Sequence, residues 1–330
     1  MAEQMTARLL GDVGGTNARF AWQDGAGMPV RDIVSLATAD FATLAEAITA
    51  YLEGLGRDAP PWCAIGIANP ITGDQIRMTN CRWAFSISGM QQALGLERLV
   101  VINDFTALAL ALPDLPAAEL RQLGGAAAVA GAPLGLIGPG TGLGVSGLVP
   151  GDTPGRWLPL QGEGGHVTLA ASNAREAAVL QVLRDEHGHA SAERAISGQG
   201  LEALYAAVCK LDATAGFAPL TAAEVSQRAL AATDAHCVEA LDLFCGFLGN
   251  VAGNLALTLG AVGGVYIGGG IVPRLGEYFA VSPFRSNFES KGRFRGFLAA
   301  IPVYVITAKY PALVGCVQAF THASPRLEAG

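Results

Sequence analysis

A short apolar run ending in a glycine-rich turn occurs twice in this chain, and the repetition limits the folds open to it. Leu9-Leu10 leads into Gly11-Asp12-Val13-Gly14-Gly15-Thr16-Asn17. Leu134-Gly135-Leu136-Ile137 leads into Gly138-Pro139-Gly140-Thr141-Gly142-Leu143-Gly144. Glycine lacks a Cβ, so its backbone can turn sharply and come close to a ligand. Successive N–H groups in such a turn form a positive concavity that suits phosphate oxygens. Both segments run in one order: strand, glycines near a threonine, then more strand-like residues. That order predicts a duplicated half in which two hairpins grip one polyphosphate. One such loop alone is equally a plain hairpin turn. The matched pair, and the Asp inside the first, favour a nucleotide. No Gly-Lys-Ser/Thr follows either cluster, which excludes a Walker loop. Thr16-Asn17-Ala18-Arg19-Phe20 reads as hairpin rather than helix, against a dinucleotide fingerprint.

The length, 330 residues, allows two domains at about 150 residues each. Hydrophobic residues make up 51% and charged residues 15%, which predicts large buried cores rather than disorder. The net charge is −7 and no basic cluster is present, so no nucleic-acid partner is expected. The six cysteines include no Cys-x-x-Cys pair, which argues against structural zinc and fits free thiols in a cytoplasmic protein. No charged-then-apolar leader is visible at the N-terminus. Leu255 to Pro273 carries no charge and approaches a spanning length. Its glycines and final proline instead predict a buried helix end, a turn and the strand Val265-Tyr266-Ile267, with no membrane span.

Strands are expected from Arg8 to Trp22, at Ala64–Ala68 and at Leu99–Ile102. The short unbroken apolar runs suit parallel strands covered on both faces. A helix is expected over Phe41–Leu52 with Asp40 as its N-cap. Another follows at Thr106–Leu112, and Pro113 and Pro116 mark a crossing into a second domain. Strands then resume near Leu134 and Val145. Helices are expected at Arg175–His187, Leu201–Val208, Ala222–Ala231 and Val238–Leu259. In the last of these, Gly246, Gly249 and Gly253 let another element pack close. The strand Val303–Ile306 and a helix near Leu313–Phe320 could return to the first domain. The expected division is 1–114 plus about 307–330, and about 115–306, on the same length argument.

Asn103-Asp104 follows Leu99-Val100-Val101-Ile102 directly. A carboxylate at the C-terminal end of a parallel strand lies where open α/β sheets bind ligands. Asp104 is also placed to cap a helix from Phe105, and the two roles can coexist. Gly162-Glu163-Gly164-Gly165-His166 offers two polar side chains to a ligand, or is a surface turn; a metal site there lacks a third ligand. Ser191-Ala192-Glu193-Arg194 reads alone as a helix start. Gly268-Gly269-Gly270 ends a strand where a base or ribose could lie against bare backbone.

Together these segments resemble the bacterial ATP-dependent glucokinases, within the sugar kinase, actin and heat-shock ATPase superfamily. The resemblance covers residues 11–19, 70–74, 78–80 and 83–86 (Trp-Ala-Phe-Ser). It continues through 102–107, 140–145, 162–167, 191–194, 268–274 and Lys-Gly-Arg-Phe at 291–294. It implies an α/β fold of two actin-like (ribonuclease H-like) domains with an interdomain cleft that closes on sugar. It implies phosphorylation of glucose at the 6-hydroxyl with ATP and Mg²⁺, the opening step of glycolysis, by a cytoplasmic homodimer. Asp104 is then the catalytic base, and Asn103, Glu163, His166 and Glu193 hold the other hydroxyls. Asp12 positions Mg²⁺, through water. The first loop, Gly11 to Asn17, binds nucleotide, with Gly14, Gly15 and Thr16 cradling phosphate. Gly140, Thr141 and Gly142 do the same from the second domain, and Gly268, Gly269 and Gly270 border the adenosine.

Three alternatives stay in view. A broader hexose kinase shares every feature above. A sugar-sensing regulator needs a DNA-binding domain, for which about ten residues before the first loop are too few. An acyl-phosphate kinase needs cationic groups for a carboxylate, where this pocket carries Asp and Glu.

Overall fold

The computed structural model describes residues 5–214 and 216–322. The first elements are β1 (Arg8–Val13), β2 (Asn17–Gln23), β3 (Arg31–Ala37), α1 (Leu44–Leu55), β4 (Trp62–Ile67), β5 (Gln75–Arg77), β6 (Ala84–Ser86), α2 (Ile87–Ala93), β7 (Arg98–Asn103) and α3 (Asp104–Ala111). Then come β8 (Leu120–Gln122), β9 (Leu134–Pro139), β10 (Leu143–Pro150), β11 (Trp157–Leu160), α4 (Ala174–His187), α5 (Gly198–Leu211), α6 (Ala222–Leu230) and α7 (Ala235–Leu259). The chain closes with β12 (Val265–Ile267), α8 (Glu277–Val281), α9 (Phe284–Glu289), α10 (Arg295–Ala300), β13 (Val303–Ile306) and α11 (Pro311–His322). These group into two units. One holds the chain up to Leu115, Gly151–Gln161 and the chain from Ala308; the other holds Pro116–Pro150 and Gly162–Thr307. Sequence reading leaves the segment 151–161 in the larger domain. Residues 323–330 of the expected small domain lie outside the described residues.

The first unit carries a sheet of order β3-β2-β1-β4-β7. β1 and β2 are antiparallel, while β1–β4 and β4–β7 are parallel. In the second unit the order β10-β9-β12-β13-β8 contains the same pattern. β9 and β10 form the hairpin, and β12 and β13 extend it in parallel. The two glycine loops are thus the turns of two equivalent hairpins. β3 is missed by periodicity because its edge position leaves most of it exposed, and the short strands β5, β6, β8 and β11 are missed with it.

Local caps correct the sequence reading at two helices. α1 starts at Leu44, and its N-cap is Thr43, not Asp40; Thr43 Oγ1 accepts the Glu46 N–H at 3.1 Å. α3 is capped by Asn103, not Asp104. At the other end of α7, Gly260 takes the left-handed conformation (φ 62°) and β12 follows, as the glycine pattern predicts. α7 is long and apolar enough to cross a membrane, yet 72% of its apolar window is buried within the protein. Its Gly249 faces the Phe284 carbonyl, where a Cβ would collide. The core around it includes Phe244, Phe247, Leu248, Phe284 and Phe288, all within 1% of full burial.

Candidate active site

In the first unit the site is built on the ends of β1 and β7. Asp104 is the first residue of α3, directly after the buried run Leu99–Ile102. The Asn103 side-chain Oδ1 accepts the N–H groups of Phe105 (2.9 Å) and Thr106 (3.2 Å). That frees Asp104 from the capping role. Its Oδ1 accepts the Phe105 N–H at 2.9 Å. Burial lifts the Asp104 carboxyl to about 6, the Asp12 charge adds to the rise, and the Phe105 N–H opposes it. Asp12, on β1, is also raised by burial, against the pull of Arg19 at 3.1 Å. Two carboxyls raised by burial at a sheet end, one of them further by its neighbour's charge, are the pattern of a functional site rather than of a cap.

The first loop turns with Gly14 N–H donating to the Asn17 carbonyl at 2.9 Å. Thr16 is exposed at its tip, Gly11 is strand, and Val13 is buried in the core. A Cβ on Gly14 would meet nothing nearer than 3.6 Å, so this backbone is open to a ligand. Gly15 is different. A Cβ there would lie 2.5 Å from Asn80 Cβ, so protein, not ligand, requires this glycine. The Asn69–Asn80 stretch therefore borders the site from two sides. Its Asn80 packs on Gly15, and its Asn69 carbonyl accepts the Asn103 amide at 3.4 Å. Asn69 Oδ1 accepts the Thr79 N–H and hydroxyl at 3.2 and 2.7 Å. The Met78-Thr79-Asn80 motif was the signal for this support, but no periodicity assigns it a position.

In the second unit the β9–β10 turn is closed by Gly140 N–H donating to the Gly142 carbonyl at 2.8 Å, with Thr141 exposed at the tip. Space around Gly140 and Gly270 is open: a Cβ on either meets nothing within 4 Å. Gly142 and Gly269 are closed, the first by the Glu193 carboxylate and the second by the Pro139 carbonyl. Gly268 is buried and its N–H donates to the Ile137 carbonyl at 2.9 Å. Of the expected nucleotide glycines, Gly14, Gly140 and Gly270 have open space where a Cβ would stand, and at Gly15, Gly142 and Gly269 that space is filled by protein, although Gly269 is itself exposed.

Glu163 and His166 flank a single helical turn and are both exposed. Of the glycines around Glu163, Gly162 is open, while a Cβ on Gly164 would press on Val145. Ser191–Arg194 is not a helix start. It pairs with the segment after His166: Ala192 N–H donates to Val167 (2.9 Å) and Glu193 N–H to Gly165 (2.8 Å). The helix begins later, at Gly198 with Ser197 as N-cap. Glu193 Oε2 accepts the Leu143 N–H at 2.8 Å. One of its oxygens thus fixes the second glycine loop. A cavity of about 350 Å³ opens beside this loop, lined by Thr141, Glu193, Arg194, Ser197 and Gln199 among others.

The glucokinase family model matches residues 9–323. A glucokinase of Chromobacterium violaceum is 55% identical over 322 residues, 97% of this chain and 91% of that one. The chain belongs to the glucokinase family. Among solved structures, a glucokinase from an Antarctic psychrotroph superposes with a TM-score of 0.87 at 35% identity, over 96% of this chain and 99% of that one. A ROK-family glucokinase from Streptomyces griseus, solved with glucose and AMPPNP, is 20% identical with a TM-score of 0.60, over 94% and 98% of the two chains. It shares the fold, which is that of the actin-like ATPases. The repeated hairpin-plus-parallel sheet carries the duplication visible in the glycine loops.

Proposed function

We propose that this chain transfers the γ-phosphoryl group of ATP to the 6-hydroxyl of D-glucose, releasing glucose 6-phosphate and ADP. Membership of the glucokinase family supports the reaction. The observation that carries the mechanism is Asp104, a partly buried carboxyl with a pKa raised to about 6. Such a group is ionised at neutral pH yet basic enough to take a proton from an attacking alcohol. Asp104 accepts the 6-hydroxyl proton as the sugar oxygen bonds to phosphorus and the bond to the departing ADP oxygen breaks. Phosphoryl transfer otherwise asks for positioning and charge stabilisation. The open space beside Gly14 and Gly140, whose own N–H groups close the turns, lets phosphates approach the two loops, and that beside Gly270 suits the adenosine. Asn103, Glu163, His166 and Glu193 hold the remaining hydroxyls. Asn103 does so with its amide N–H, since its oxygen is committed to the cap.

The donor set suits Mg²⁺, which is commonly held by one or two carboxylates together with phosphate oxygens and water. Asp12 is a partly exposed carboxylate with Arg19 beside it. No cluster of three or more His, Cys, Asp or Glu occurs among the described residues, which fits an ion carried largely by the nucleotide. When bound, the ion neutralises charge on the phosphates. In the same reading the enzyme is a cytoplasmic homodimer, and sedimentation velocity tests the dimer.

ADP release measured with glucose, mannose, fructose and acetate separates the readings. Glucose well ahead of the others is expected; comparable rates with several hexoses favour a broader hexose kinase, and acetate turnover contradicts the assignment. Loss of kcat/KM below about pH 6 is expected, tenfold per pH unit, because protonation removes the base. A flat acid limb down to about pH 4, the ordinary carboxylate range, would count against Asp104. Glu163→Gln should raise the glucose KM by about 10- to 100-fold, the worth of a hydrogen bond to a charged group. An unchanged KM removes Glu163 from the sugar site.

A further inference from the structure

Lys-Gly-Arg-Phe at 291–294 has no part in the reaction as derived above, yet its lysine makes an unusual set of contacts. Lys291 is half-buried, and burial lowers its ammonium pKa. Its hydrogen bonds among the described residues go to neutral acceptors on one residue, the backbone carbonyl of Asn250 (3.1 Å) and the Asn250 Oδ1. A cation taken out of water without a carboxylate partner is costly, so a purely structural staple would more cheaply be apolar.

Two glycines of α7 make this contact possible. Gly249 admits the carbonyl of Phe284 and Gly253 that of Phe288, which seats α9 close against α7. Lys291 follows α9, and its Cε passes 3.0 Å from where a Gly253 Cβ would stand. Asn250, 6% exposed, passes the link on. Its Nδ2 donates to the Ala170 carbonyl at 3.1 Å and toward Ser172 Oγ at 3.4 Å. Ala170 directly follows a short antiparallel pairing. There Leu169 N–H donates to Ala190 (3.0 Å), Thr168 bridges Ser191, and Glu193 N–H donates to Gly165 (2.8 Å). This pairing carries His166 on one side and Glu193 on the other.

We propose that Lys291 is a positioning residue for sugar binding, acting through Asn250 on Ala170 and the paired segments that carry His166 and Glu193. The proposal rests on the sugar-kinase reading above. Lys291→Met removes the cation. Asn250→Asp keeps an acceptor for Lys291 but replaces the N–H that holds Ala170 with an oxygen that repels it. Both variants should raise the glucose Kd, read by intrinsic fluorescence, by about tenfold, one hydrogen bond's worth. The KM for ATP and the kcat should stay within about twofold, since neither residue touches the reacting groups. Lys291→Met combined with Asn250→Ala should add little to either single change, because both cut one chain of contacts. Hydrogen exchange of the amides from Gly165 to Ala170 should quicken in both single variants. A glucose Kd unchanged in Asn250→Asp overturns the proposal, whatever happens to the melting temperature. Equal losses toward glucose and ATP overturn it too. Wild-type protein that binds no sugar overturns the functional reading instead, and the exchange measurement then decides the tether by itself.

Discussion

Asp104→Asn lowers kcat by about 10²–10⁴ and leaves the glucose Kd within a few-fold, the range for removal of a positioned base. The replacement is nearly isosteric. Its side-chain oxygen can still accept the Phe105 N–H, and the helix cap is untouched because Asn103 supplies it. What disappears is the proton acceptor. The same variant has an opposite effect on stability. The folded-state pKa stands at about 6 against an ordinary 3.8. Between those values the folded protein binds the proton more tightly than the unfolded chain, so stability falls as pH rises. Asparagine has no charge to desolvate and no repulsion with Asp12. Asp104→Asn is therefore expected to melt above wild type at about pH 8 and level with it at about pH 3, below both pKa values. Near-normal turnover, or a melting temperature that drops equally at both pH values, contradicts this account of the carboxyl.

Neighbouring glycines give the second large effect. Gly269 has a φ of 79° and a Cβ there would collide with the Pro139 carbonyl. Gly270 has open space and ordinary backbone. Gly269→Ala should destabilise the protein by about 2–5 kcal/mol, summing overpacking and left-handed strain. Gly270→Ala should change stability by less than about 0.5 kcal/mol, as an exposed substitution. The ATP KM should reverse the order among the folded proteins, with Gly270→Ala the more affected, because its Cβ would enter the open space while that of Gly269 points at the Pro139 carbonyl. Unfolding midpoints and nucleotide titrations of the pair check this. Equal stability losses would mean that both glycines serve packing alone.

The hairpin duplication, the parallel strands and Asp104 at the end of β7 were legible because each rests on local chemistry: glycine turns, uninterrupted apolar runs, a carboxylate at a strand end. Cap identity was not. Asp40 and Thr43, or Asn103 and Asp104, are all competent caps, and only the backbone angle at which the helix starts selects between them. Nor does sequence tell which glycine is bare for a ligand and which for a neighbour. Gly14 and Gly15 look alike until Asn80 is seen on one of them. Glu193 shows the same limit from the side-chain end. Its bond to Leu143 joins residues 50 apart in the chain, which no spacing rule connects. Lys291 and Asn250 are brought together by helix packing through α7 glycines, so their link is tertiary from the start.

A crystal structure with glucose and a non-hydrolysable ATP analogue tests the central claim most directly. The account predicts an Asp104 carboxylate oxygen within about 2.6–3.2 Å of the sugar 6-hydroxyl, the reach a general base requires. A 6-hydroxyl bound beyond that reach, with another side chain or no side chain against it, would contradict it.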